Sequence, residues 1–139
     1  MLEAAAESVA LNPLRVLVAE DDDDLRALLI AGLELEGHRV VDLEDGFELE
    51  DYLELSNRQV SRRLQPDVIV TDEQMPGRTG LEVLREARSQ GLTCPCVVIS
   101  GFADETLRAA VEKLAPAFVL RKPFDLEEVI ELVARVARR

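Results

Sequence analysis

The chain has 139 residues, 47% hydrophobic and 32% charged, with a net charge of −12. That length makes one domain able to bury roughly two thirds of its unfolded surface. The acidic excess argues against direct binding to nucleic acid, which needs a basic surface, and no apolar run approaches the roughly 18 residues of a membrane span.

The opening MLEAAAESVALNP is acidic and lacks a basic leader, so residues 1–13 read as a flexible extension rather than a signal peptide. Cytoplasmic localisation is the expectation, with one domain over 14–139. Arg15–Ala19 (RVLVA) is short, branched and apolar, which suits a strand buried on both faces. Leu25, Leu28, Leu29 and Leu33 recur at helical spacing until Gly37 stops the helix. His38–Val41 reads as a second strand, and Phe47, Tyr52, Leu53 and Leu55 as a less regular helix. The polar piece Ser56–Gln65 extends that helix or loops out.

Pro66 and Asp67 introduce the third strand, VIVT. After DEQMPGRTG, Thr79-Gly80-Leu81-Glu82 fits a capping box that opens a third helix. Cys94 and Cys96 flank Pro95 where the fourth strand, CVVIS, begins. Two cysteines and one histidine cannot complete a four-ligand zinc site, and an intracellular setting disfavours a disulfide, so both read as small, partly buried residues. Leu107, Ala110, Val111 and Leu114 mark a fourth helix, and AFVL a fifth strand. Asp125-Leu126-Glu127-Glu128 opens the last helix, with Leu126, Val129, Ile130 and Val133 inward. The basic pairs and tail, Arg62–Arg63 and Arg135, Arg138, Arg139, lack interleaved aromatics and read as solvated faces. Strands alternating with helices predict a doubly wound, five-stranded parallel α/β sheet.

In such sheets ligands gather beyond the carboxyl ends of the strands, near a switch point. Glu20 and Asp21 follow the first strand, Asp72 the third, Ser100 and Gly101 the fourth, and Arg121, Lys122 and Pro123 the fifth. The second strand offers Asp42 and Leu43, with no obvious partner. A flavodoxin-like order 2-1-3-4-5 brings the other four ends together. Three carboxylates without clustered histidine form a hard, oxygen-only site, which suits magnesium. Lys122 is one of two lysines among sixteen basic residues, and a compact ammonium suits a phosphoryl oxygen. Asp22, Asp23 and Asp24 stand where the first helix begins, and its dipole favours carboxylates there. An EF-hand is a poor fit, because Arg26 would occupy the position that requires glycine.

VLVAEDD, VIVTDEQMPGRTG, VVISG and LRKPF, in that order and spacing, resemble the receiver domain of bacterial two-component response regulators. The likeness is to the stand-alone, CheY-like type and runs from about Arg15 to the C-terminus. It implies that Asp72 accepts a phosphoryl group from a histidine kinase or phosphotransfer protein. It also implies that Glu20, Asp21, Asp72 and the backbone carbonyl of Gln74 hold Mg2+. Ser100 would hydrogen-bond the phosphoryl group, Lys122 would pair with it, and the Lys122–Pro123 bond would be cis. The partners implied are that kinase and a downstream protein effector, with no membrane or nucleic acid, as a monomer or a phosphorylation-dependent dimer. No enzyme activity is implied beyond the chain's own phosphorylation and aspartyl-phosphate hydrolysis.

Two departures accompany the likeness. Val119 stands where an aromatic switch residue is usual, with Phe118 one place early and reading as core. The Gly37–Asp72 segment is also a few residues longer than usual. Two other readings stay open. One is a haloacid-dehalogenase-type phosphatase, which would want an aspartate where Gln74 stands; the other is a receiver-shaped interaction module that is never phosphorylated.

Overall fold

The computed structural model describes residues 13–57 and 64–137. The extension before Pro13, most of the 56–65 insert, Arg62, Arg63, Arg138 and Arg139 lie outside the described residues.

Among the described residues, five strands alternate with five helices. They are β1 (Arg15–Ala19), α1 (Asp23–Leu35), β2 (Arg39–Leu43), α2 (Gly46–Asn57), β3 (Val68–Asp72), α3 (Gly80–Ser89), β4 (Cys96–Ser100), α4 (Glu105–Glu112), β5 (Ala117–Arg121) and α5 (Leu126–Val136). The strands form one parallel sheet in the expected order β2-β1-β3-β4-β5. β1, β3 and β4 run through its middle, and Val16–Ala19, Val68–Asp72 and Cys96–Ser100 are all buried. Because side chains alternate across a strand, each strand feeds two cores. Val16, Val18, Val68, Val70, Val97 and Ile99 pack under α1 and α5. Leu17, Ile69, Cys96 and Val98 pack under α2, α3 and α4. Fully burying one such side chain is worth about 1.5–3 kcal/mol relative to leaving it exposed.

The helix starts are chemically marked. Asp22 caps α1, its Oδ1 accepting from the Leu25 amide at 3.0 Å. Thr79 and Glu82 close the expected capping box on α3, and Asp104 caps α4. A side-chain cap of this kind contributes about 1 kcal/mol.

Three local readings are corrected. β2 runs Arg39–Leu43 rather than His38–Val41, so Asp42 lies within the strand, paired with Val18. Leu28 faces solvent at 51% exposure, while Arg26, Leu29, Gly32 and Leu33 form the inward face of α1. Gly32 there meets Leu126 at the α1–α5 crossing, where an added Cβ would stand 2.8 Å from Leu126 Cδ2. In α2, Phe47 and Leu55 point outward, and Gly46, Leu49, Leu53 and Ser56 point inward. The phase follows from Gly46, whose missing Cβ lets the helix start lie against the Arg78 carbonyl. The acidic, leucine-rich sequence allows either phase, and only the partner selects one.

Candidate functional site

Four strand ends converge at the carboxyl edge of the sheet. Glu20 follows β1 and is 1% exposed. Its Oε2 accepts from the Asp22 amide at 3.1 Å, while Oε1 is buried and accepts no hydrogen bond among the described residues. Asp72 ends β3 at 3% exposure. Lys122 reaches in from beyond β5, its Nζ 3.1 Å from Asp72 Oδ2 and 3.7 Å from Glu20 Oε1. Carboxylate oxygens of Glu20, Asp21 and Asp72 all lie within 4.8 Å of one another.

Burial, with Asp72 beside it, pushes the Glu20 carboxyl up to about 7 despite the Asp22 amide and Lys122. Burial opposes charge on Lys122 as well. The Asp72 bond and the fields of Glu20 and Asp21 outweigh it and hold the ammonium above its ordinary value. One ammonium therefore faces three carboxylates. At an effective dielectric of 20, two carboxylates about 4 Å apart repel by roughly 4 kcal/mol.

Ser100 ends β4, buried, one step beyond the Asp72↔Ile99 register pair. Its Oγ accepts from the Phe102 amide at 2.9 Å, and its carbonyl accepts from the Lys122 amide at 2.9 Å. Gln74 is exposed in the loop two residues past Asp72. The Lys122–Pro123 bond is cis, as the resemblance implied, and so is Ala115–Pro116. Asp22 is the α1 cap and Asp23 and Asp24 lie in its first turn, so these three stand at the helix start as read.

Three positioning residues escaped the sequence reading. Arg26, 8% exposed, donates to the Glu20 carbonyl at 2.8 Å and pairs with Asp23 and Asp42 at 2.7 Å and Glu44 at 3.4 Å. Asp42 therefore has a partner after all. The available signal was the Asp23–Arg26 i,i+3 spacing. Glu73 donates its amide to the Ile99 carbonyl at 2.9 Å and accepts the Leu81 amide at 2.8 Å, which ties the loop after β3 to α3. Gly80 lets α3 approach, since a Cβ there would stand 2.6 Å from the Asp72 carbonyl oxygen. On β5, Val119 packs on the α2–α4 side and Phe118 on the α1–α5 side, with the core as read.

The donor set is hard oxygen throughout, with a buried carboxylate oxygen lacking a hydrogen-bond partner among the described residues, and this fits a small divalent cation such as Mg2+.

The profile of the response regulator receiver domain matches residues 16–134. The chain is 35% identical over 127 residues to response regulator MprA of Mycobacterium sp. (strain KMS), covering 91% of this chain and 52% of that protein. It is 34% identical over 128 residues to the transcriptional regulatory protein PhoP of Escherichia coli (strain K12), covering 91% and 53%. The chain thus spans about half the length of these curated relatives. Among solved structures, the fold matches chemotaxis response regulator CheY4 of Vibrio cholerae with a TM-score of 0.73 at 25% identity, covering 90% of this chain and 99% of that one. It also matches the non-phosphorylated HemR receiver domain of Leptospira biflexa with a TM-score of 0.78 at 25% identity, covering 92% and 96%. Among the described residues, no helix is long and apolar enough to cross a membrane.

Proposed function

Since this chain belongs to the response regulator receiver domain family, whose members are two-component phosphoacceptors, we propose that Asp72 is its phosphoacceptor. The observation that carries this reading is the Lys122 ammonium 3.1 Å from a buried strand-end carboxylate, with Glu20 and Asp21 beside it. An Asp72 carboxylate oxygen attacks the phosphorus of a phosphohistidine. The P–N bond breaks, and the imidazole keeps the electron pair and takes up a proton. Lys122 offsets charge on the incoming phosphoryl oxygens, and the work is mainly positioning and electrostatics.

Glu20, Asp21, Asp72 and the Gln74 carbonyl would hold Mg2+. The ion supplies charge neutralisation at the phosphoryl oxygens.

Phosphorylation adds charge and acceptor oxygens, and Ser100 supplies the hydroxyl that turns toward them. That turn gives up the Phe102 amide bond and draws the loop between β4 and α4. With Val119 at the usual aromatic position, the signal leaves through this loop toward the α4-β5-α5 face. The proposed partners are a histidine kinase or phosphotransfer protein and a protein effector, met in the cytoplasm by a monomer or a phosphorylation-dependent dimer. The proposed receiver unit is 14–139, preceded by an extension, and it is not an enzyme beyond its own phosphorylation and dephosphorylation. Gln74 offers no general acid for a haloacid-dehalogenase-type reaction.

Acetyl phosphate with Mg2+ tests this reading. One phosphoryl group should appear, labile to hydroxylamine, and Asp72→Asn should abolish it. Full labelling of Asp72→Asn, or an alkali-stable label, refutes the assignment.

A further inference from the structure

We propose that Cys94 and Cys96 form a redox-active dithiol, at the end of the sheet remote from the acidic site, that closes to a disulfide when a peroxide reaches it. This proposal stands apart from the phosphoacceptor reading. Cys96 opens β4, fully buried, and a single proline separates it from half-buried Cys94. The Cys96 thiol donates to the Cys94 carbonyl oxygen at 3.5 Å, across Pro95. Arg88 Nη2 stands 3.6 Å from Cys96 Sγ.

That guanidinium has no carboxylate partner among the described residues. Its other contacts are the carbonyls of Leu114 (2.8 Å), Leu92 (3.0 Å) and Pro116 (2.9 Å). The Cys96 sulfur is thus the ionisable atom it touches. The neighbouring Cys94 thiol, and then Arg88, pull the Cys96 thiol below its ordinary range against burial, while Cys94 is pushed up. Access comes from Cys94, which lines an open cavity of about 400 Å³ with Leu53, Gln65, Pro66 and Ala87. The accessible thiol and the acidic thiol are therefore different residues, and each has a part.

Once one proton is lost the pair shares the other; with that proton on Cys96, which donates to the Cys94 carbonyl, the Cys94 thiolate attacks one peroxide oxygen. The O–O bond breaks, and the departing alkoxide takes a proton from water. The Cys96 sulfur then attacks the Cys94 sulfenic acid. The S–O bond breaks, and hydroxide leaves as water with the Cys96 proton. Two thiols are oxidised to one disulfide, and the peroxide is reduced to alcohol and water. A disulfide offers Arg88 no anion. Oxidation thereby loosens the guanidinium that ties the C-terminus of α3 to Leu114 and Pro116, between α4 and β5.

The test is hydrogen peroxide added to the full chain, read by intact mass and thiol alkylation. Both alkylatable thiols should disappear with a loss of about 2 mass units, without dimers, and dithiothreitol should restore them. Cys96→Ser should stop at a Cys94 sulfenic acid trapped by a 1,3-dione, whereas Cys94→Ser should leave Cys96 unreacted. Arg88→Met should slow closure roughly tenfold and Arg88→Lys should recover most of the rate, following the thiolate fraction. Because Arg88 also holds three carbonyls, the unsubstituted chain supplies an independent check. The pH dependence of its peroxide-driven closure, which needs one proton lost from the pair, should inflect below the ordinary thiol value of about 8.5. Two surviving thiols, disulfides only between chains, or an inflection at or above that value would each overturn the proposal.

Discussion

The two ends of this sheet treat charge in opposite ways. At the amino end, polar groups are matched within the protein. Asp67 accepts the Arg15 amide at 2.8 Å, His38 Nδ1 accepts the Leu14 amide at 3.2 Å, and Arg88 spends its donors on three carbonyls and a thiol. At the carboxyl end, three carboxylates crowd within 4.8 Å around one ammonium, and Glu20 Oε1 accepts no hydrogen bond among the described residues. Helix α1 could have relieved the acids there, yet its cap is filled by Asp22 and its arginine is committed to Asp23, Asp42, Glu44 and the Glu20 backbone. The difference teaches that a fold able to satisfy its polar groups leaves them unsatisfied where a ligand completes the count.

The largest expected effect is on pH dependence. The folded Glu20 carboxyl sits near 7, above its unfolded value of 4.5. Its contribution to stability is therefore full below about pH 4.5 and is lost as pH rises through about 7. In chelator, urea unfolding should show that contribution falling by up to about 3 kcal/mol across this window. Glu20→Gln should flatten it, and added Mg2+ should reverse the loss by binding the folded, ionised form. If both proteins show the same pH slope, the carboxyl end is not strained.

At the matched end, Arg88→Met should cost about 2 kcal/mol by stripping donors from three carbonyls, and the loss should be the same with and without Mg2+. A loss that grows in chelator would tie the two ends together and break the contrast. A smaller effect, below about 1 kcal/mol, is expected of Asp21→Asn, because that residue is exposed. Thermal unfolding in chelator should place the variant slightly above the parent, while magnesium-induced shifts at Glu20 and Asp72 vanish. Lower stability in chelator would argue against crowding. Smallest in extent is the response to a phosphoryl mimic. Amide exchange should change across Gly101–Leu120 and leave the Arg15–Asp67 pairing untouched, and changes confined to α2 would refute the proposed output route.

The elements and their order were legible because their signals are local. RVLVA and CVVIS are branched apolar runs, and both strands have the predicted bounds. Thr79–Glu82 announced its capping box, and the acidic run after β1 announced both a helix start and a cluster. Helix phase was legible only where one face was unambiguous. Val129 and Val133 of α5 are buried as read, whereas Leu28, Phe47 and Leu55 are not, because α1 and α2 carry more leucines and aromatics than one face can bury. Arg26 was passed over because a charged residue in a first turn reads as solvated, and its burial depends on β2 supplying Asp42 and Glu44.

The sequence by itself thus determined the alternation of strands and helices, the residues that follow each strand, and the donor chemistry they carry. Period, capping and turn signals act over a few residues, and the family's motifs lie in register with them. Only the tertiary structure decided which oxygen of Glu20 is left without a donor, that Lys122 spans both Asp72 and Glu20, and that Arg88 lies against Cys96. Those facts join residues 8 to 102 positions apart in the chain. They follow from the crossovers that bring β1, β3, β4 and β5 side by side and from packing that permits one arrangement of each side chain.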